Sequence, residues 1–205
     1  MSRYRTNPAV HVEPDEAEDL RCDDEETAAE NNEEEGGSRG VDCPGDHVGV
    51  PSRPYLKKIL EKQGDTNLVF ADKVLKFTGS GKMKRRILLI TDFAIYIVDP
   101  ETDVLKRRIA LAAVEKLCLS KLSDNFFAII IPTEYDILMA STRKTEIVMS
   151  IVDTTRTVSN YELDVFHSNR FEYNAAADLV KQVKFEEVEG GVKTRIVQNN
   201  TQRKE

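Results

Sequence analysis

The chain has 205 residues, 40% hydrophobic and 32% charged, with a formal charge of −7, which suits one core-bearing domain plus a tail. Residues 1–50 carry 15 Asp/Glu against 4 Lys/Arg, and residues 51–205 carry 21 against 25, so an acidic tail adjoins a mildly basic domain. No 18-residue apolar run is present to span a bilayer, and no apolar N-terminal core marks a signal peptide.

Cys22, Cys43 and Cys118 have no paired or CxxC spacing and fit a reducing compartment, with Cys118 expected as a buried core thiol. The Met1-Ser2 start lacks a myristoylation glycine, and no prenylation cysteine ends the chain. Membrane attachment is therefore expected from the folded surface.

Residues 1–53 are expected to be a disordered acidic tail and linker. Glu13 to Glu35 holds thirteen acidic residues against Arg21 alone, with almost nothing apolar to bury. Such a tail solubilises, or competes within the chain for a basic face. Order is expected from Pro54, where Tyr55, Leu56, Ile59 and Leu60 share one helical stripe and Gly64 suits the exit.

Strands are then expected at 68–77, 86–91, 94–98, 104–110, 114–120, 126–131 and 134–139. Connectors of two to five residues imply antiparallel meanders and exclude a βαβ sheet. Over Thr142 to Val158 the apolar period changes: Ile147, Val148, Ile151, Val152 and Thr155 share one helix face, with Ser141 or Thr142 as N-cap. Seven strands followed by one amphipathic helix describe a small barrel plugged by that helix.

Asn160 to Phe166 alternates as an edge strand does. Residues 174–186 read either as a helix by propensity or as strands; strands are favoured, with 179–185 and 192–197 forming a hairpin at Gly190-Gly191. Residues 198–205 are expected to be disordered.

The segment with the sharpest chemical signal is Lys76 to Arg86. Five of its eleven residues are cationic (Lys76, Lys82, Lys84, Arg85, Arg86) and none is acidic. Gly79 and Gly81 are expected to supply positive φ angles for the reversing loop. In a strand, Lys84 and Arg86 share one face, and Lys76 ends the strand across the loop. Three converging cations beside glycine amides suit a multiply phosphorylated head group. The alternative is a solvated hairpin whose charges keep a sheet edge soluble. Lys106-Arg107-Arg108 either extends this basic surface or forms a strand's solvent face.

Several blocks of the chain resemble the tail homology 1 domain of class I myosins. They are Asn67 to Phe77, Lys84 to Thr91, Ala94 to Asp99, Lys106 to Leu111, Leu119 to Phe127, and Ser168 to Tyr173 followed by Val183-Lys-Phe185. The resemblance covers residues 54–197. It implies a pleckstrin-homology-like, seven-stranded barrel capped by a helix, with a C-terminal β extension. It also implies a peripheral module on the cytoplasmic face of membranes that binds anionic phospholipids, phosphoinositides in particular. The family's lipid signature falls on Lys76, Lys84 and Arg86, with Lys82 in the loop between them. No motor domain, IQ helix or SH3 domain lies within these residues, so actin motility is not implied.

Enzyme readings fail on chemistry, and neither a cofactor nor a metal is expected. Gly79-Ser-Gly-Lys82 departs from the P-loop, with Lys76 and Met83 where glycine and Ser/Thr belong. His167 has no neighbouring cysteine, and Asp164 alone makes neither a metal site nor a triad. The modest charge and the lack of interleaved aromatics exclude nucleic acid as the expected partner. The alternative function is an adaptor module on the same fold, docking cytoskeletal or adaptor proteins without lipid specificity.

Overall fold

The structure is a computed structural model, and it describes residues 43–198. The expectations for residues 1–42 and 199–205 lie outside the described residues.

The chain opens with a short 3₁₀ turn and helix α1 (Pro54–Gln63). Seven strands follow: β1 (Leu68–Phe77), β2 (Met83–Thr91), β3 (Ala94–Val98), β4 (Leu105–Ala110), β5 (Lys116–Leu119), β6 (Phe126–Ile130) and β7 (Ile137–Ala140). Helix α2 (Lys144–Ser159) comes next, then β8 (Asp164–His167), β9 (Arg170–Ala176), β10 (Leu179–Val188) and β11 (Gly191–Gln198). The mainly β, pleckstrin-homology-like order of seven strands and a helix is the expected one. The first sheet runs β4-β3-β2-β1-β7-β6-β5-β8, and the second runs β11-β10-β9.

One face of every strand from β1 to β7 contributes to a single core, including Phe70, Leu88, Ile97, Ile109, Leu117, Phe127 and Met139. Ile147, Val148 and Ile151 of α2 complete it. A sheet whose strands all meet one core wraps around it, and α2 fills the space that the wrapping leaves. The hydrogen-bonded order nevertheless stays open, with no ladder from β4 to β5 among the described residues. The free edge of β5 is taken by β8, which pairs with it in parallel from Lys116↔Asp164 to Leu119↔His167.

The outer face of the sheet is covered in two halves. Val48, Val50, Leu56 and Leu60 pack on Ile87, Leu89, Tyr96 and Val98. Phe171, Tyr173, Val183 and Phe185 of the second sheet pack on Cys118, Ala128 and Leu138. Strands buried on both faces read as unbroken apolar runs, as Ile87 to Ile90 and Ala94 to Val98 do. Burial pushes the Cys118 thiol up to about 11.

Residues 43–53, expected to be linker, are packed against the domain. His47 N–H donates to the Ala71 carbonyl, and Ala71 N–H donates to that of Gly45. A side chain at Gly45 would place its Cβ 2.5 Å from the Val69 carbonyl oxygen, so this approach requires glycine. Asp46 accepts the backbone N–H groups of Val48, Gly49 and Val50 at 2.6–3.0 Å.

Other local differences have equally local causes. Position Arg143, instead of Ser141 or Thr142, caps α2; the Ser141 hydroxyl accepts the Arg143 N–H at 3.0 Å. Met83 to Arg85 extend β2 back to the turn, because Lys84 pairs with Lys76 and Met83 with Phe77. Residues 174–176 and 179–186 are strand, as favoured, joined by a turn at Ala177-Asp178. Strand β9 takes more of the chain than the sequence indicated, because β10 supplies it with a ladder from Lys184↔Arg170 to Leu179↔Ala176.

Candidate functional site

Strand register decides which cations meet. Lys76 pairs directly with Lys84, and Val74 pairs with Arg86. Val74 belongs to the inner core, so alternation along each strand places Lys76, Lys84 and Arg86 on the inner face where the sheet opens to solvent. Lys82 lies beyond them in the exposed loop. Three of the four expected site residues therefore share one face, and Lys82 stands at its rim.

The loop is closed by Thr78. Its N–H donates to the Lys82 carbonyl at 2.9 Å, while its hydroxyl accepts the Lys82 N–H at 3.0 Å. Gly81 has φ 82°, as expected, but Gly79 does not adopt a positive φ. Gly79 is instead held beside the second sheet, where its Cβ position would lie 3.5 Å from the Ala175 carbonyl oxygen.

The cations differ in their surroundings. Arg86 is 9% exposed, ion-paired to Asp99 at 3.3 Å, and donates to the Arg85 carbonyl at 2.7 Å. Lys106 reaches the same Asp99 carboxylate at 3.8 Å. Lys84 is exposed, and its side chain makes no ion pair or hydrogen bond among the described residues. Lys76 has its ammonium 5.7 Å from the Tyr135 ring centre. Burial, then the charges of Arg107, Arg86 and Lys84, push its pKa down to about 8.

Arg107 belongs to this cluster, which the sequence left open for the whole Lys106-Arg107-Arg108 run. Its register partner Ile97 lies in the inner core, so Arg107 faces inward, and it is 8% exposed. The guanidinium stacks 3.9 Å from the Tyr135 ring centre, and donates to Glu134 Oε2 and to the Tyr135 carbonyl, both at 2.7 Å. Its Nη1 is buried without a hydrogen-bond partner among the described residues. Arg108 faces the other way, donating to the Tyr96 hydroxyl at 3.0 Å and to Asp65 Oδ2 at 2.8 Å, and ties the exit of α1 to β4.

Tyr135 was also not singled out from the sequence. Its loop, between β6 and β7, reaches the cluster because β7 pairs with β1 from Phe77↔Leu138 to Leu75↔Ala140. This ladder brings the start of β7 beside the end of β1. Asp136 fastens the same loop to β9, accepting the N–H of Ile131 at 2.8 Å and that of Asn174 at 2.6 Å. The result is a cluster of cations from β1, β2 and β4 at one end of the sheet, beside one aromatic ring. Among the described residues no group of His, Cys, Asp and Glu could hold a metal ion, and no helix is long and apolar enough to cross a membrane.

The chain has measurable relatives. It is 31% identical over 126 residues to myosin ID heavy chain of Dictyostelium discoideum, covering 55% of this chain and 11% of that protein. It is 25% identical over 172 residues to human unconventional myosin-Ib, covering 80% of this chain and 15% of that protein. The chain thus spans only a small fraction of the length of these relatives. Among solved structures, the N-terminal PH domain of human ARAP2 protein aligns at 14% identity and a TM-score of 0.38, over 43% of this chain and 80% of that one. The model of the unconventional myosin tail family, described as actin- and lipid-binding, matches residues 44–204. The chain belongs to the unconventional myosin tail family.

Proposed function

We propose that this domain is a peripheral membrane module that binds anionic phosphoinositide head groups at the cation cluster beside its first hairpin. Lys76, Lys84 and Arg86 hold the phosphates, Arg107 adds its unpartnered Nη1, and Lys82 meets the bilayer surface from the rim. The observation that carries this reading is the facing pair of like charges, Lys76 and Lys84, in a cluster that pushes the Lys76 pKa down to about 8. Like charges directly opposite destabilise a sheet, and a bound polyanion reverses that penalty. The family description names actin as well as lipid; a cluster of converging cations favours the lipid.

Each cation near an anionic leaflet contributes about 1 kcal/mol. Five such cations give roughly 5 kcal/mol, which favours reversible recruitment over permanent anchoring. Binding would be on the cytoplasmic face, where anionic lipids are concentrated, and the acidic residues 13–35 would lower the affinity by opposing the approach. The test is sedimentation with neutral vesicles carrying or lacking phosphatidylinositol bisphosphate. Binding that requires this lipid and weakens with salt is expected. Binding equal on both vesicles, or none, would overturn the reading, and salt-insensitive membrane association would favour an adaptor module instead.

A further inference from the structure

Lys181 lies on β10, on the face that carries Val183 and Phe185 into the core between the two sheets. It is 8% exposed, and burial lowers its pKa. Among the described residues it has no ion pair and no side-chain hydrogen bond. Its stem is buried while its ammonium keeps a contact with solvent, as long cationic side chains do, and is left free to pair with an anion. Its register partner on β9 is Tyr173, whose buried hydroxyl also lacks a hydrogen-bond partner.

The position of the ammonium gives this pair a meaning. Lys181 Nζ lies 3.9 Å from the point that a Cβ on Gly81 would occupy. The turn between β9 and β10 meets the same loop, with Leu179 Cδ2 3.7 Å from the Cβ position of Gly79. The second sheet packs on the outer face of the first, so Lys181 reaches the loop from the side opposite Lys76 and Lys84. The Thr78–Lys82 loop therefore has cations on both sides. Glycine at position 81 has φ 82°, and a Cβ there would stand in ordinary contact with the Lys181 ammonium.

We propose that Lys181 and the Thr78–Lys82 loop form a second phosphate-binding site, on the outer side of the first hairpin, for a phosphomonoester group. The inference rests on the lipid reading for its orientation, since both sites then face one bilayer across a single loop. The shared chemistry is a phosphomonoester dianion, supplied either by a lipid head group or by a soluble inositol phosphate.

The experiment uses the full chain, as wild type, Lys181→Met and Lys181→Arg. Each is titrated with phosphatidylinositol bisphosphate vesicles and, separately, with soluble inositol trisphosphate while the Gly81 amide resonance is followed. Lys181→Met should lose about fivefold in affinity, the equivalent of about 1 kcal/mol, and lose the Gly81 shift, whereas Lys181→Arg should keep both. If wild type ignores vesicles but Gly81 responds to inositol trisphosphate through Lys181, the lipid reading falls and the phosphate site stands. If Lys181→Met titrates as wild type does, or if Met and Arg lose equally, the second site is overturned whatever the vesicles do.

Discussion

Lys76 and Lys84 face each other as direct register partners across the first hairpin, and neither is neutralised by a carboxylate among the described residues. The nearby Asp99 is engaged by Arg86 and Lys106, and Glu134 is engaged by Arg107. The acids at this end therefore hold the arginines in place and leave the two lysines without a carboxylate partner among the described residues. If these cations bind lipid as proposed, this division separates residues whose loss should affect binding alone from residues whose loss should also affect folding.

Lys84→Ala is expected to weaken binding to phosphoinositide vesicles about fivefold, the equivalent of about 1 kcal/mol. Its stability should stay within about 0.5 kcal/mol of wild type, because the side chain is exposed and unpaired. Arg86→Ala should lose binding and also about 1–3 kcal/mol of stability, since it leaves the Asp99 carboxylate buried with only the more distant Lys106. Urea unfolding alongside vesicle sedimentation checks both. Equal stability losses in the two variants would contradict the division.

The lowered pKa of Lys76, about 8, sets a pH dependence. Vesicle affinity should fall as pH rises through about 8, where the ammonium loses its proton. Stability moves the other way. Between about 8 and the ordinary lysine value of 10.5 the unfolded chain holds the proton and the folded chain does not, so stability rises with pH across that window. Other groups titrate there as well, and the quantity to measure is the difference between wild type and Lys76→Met. A difference that is flat from pH 7 to pH 10 would show that Lys76 titrates normally.

Much of this fold is legible in the residues because its signals are local. Short turns between apolar runs give seven strands, and the shift to Ile147, Val148 and Ile151 gives α2. Lys76, Lys84 and Arg86 follow from alternation and from the resemblance to a known tail domain. Arg107 and Tyr135 are not legible in the same way. Placing Arg107 inward depends on its pairing with Ile97, and placing Tyr135 beside it depends on the ladder between β1 and β7. Both pairings join segments distant in sequence. Asp46 is hidden for a similar reason, since its value comes from three backbone N–H groups that only the folded 43–50 segment presents. A composition rich in Gly, Asp and Pro marks a linker and a tight packed turn alike.

The two glycines of the first loop should respond unequally to alanine. Gly81→Ala forces an L-residue to φ 82°, which costs about 1–2 kcal/mol, and directs a methyl group toward Lys181. Gly79→Ala meets only ordinary contact at 3.5 Å, and its stability should change by about 0.5 kcal/mol or less. Thermal unfolding of the two variants checks the contrast. A larger loss at Gly79 than at Gly81 would mean that the loop is held differently.

The acidic N-terminal residues should act on membrane binding through charge. Residues 1–42 contain 14 acidic and 4 basic residues, and a negative charge tethered to the domain opposes its approach to an anionic bilayer. Where the deletion ends matters. A cut at residue 50 would remove Asp46, which accepts three backbone N–H groups, and would strip Val48 and Val50 from the core. It would confuse lost stability with altered binding. Deleting residues 1–42 removes the acidic segment and leaves that packing in place. The shortened chain should bind phosphoinositide vesicles more tightly than the full chain at low salt. The gap should close toward 1 M salt, where screening shortens the Debye length from about 10 Å at 0.1 M to about 3 Å. Sedimentation of both chains at two salt concentrations checks this. Equal affinity at low salt would leave the acidic residues without a role in lipid binding.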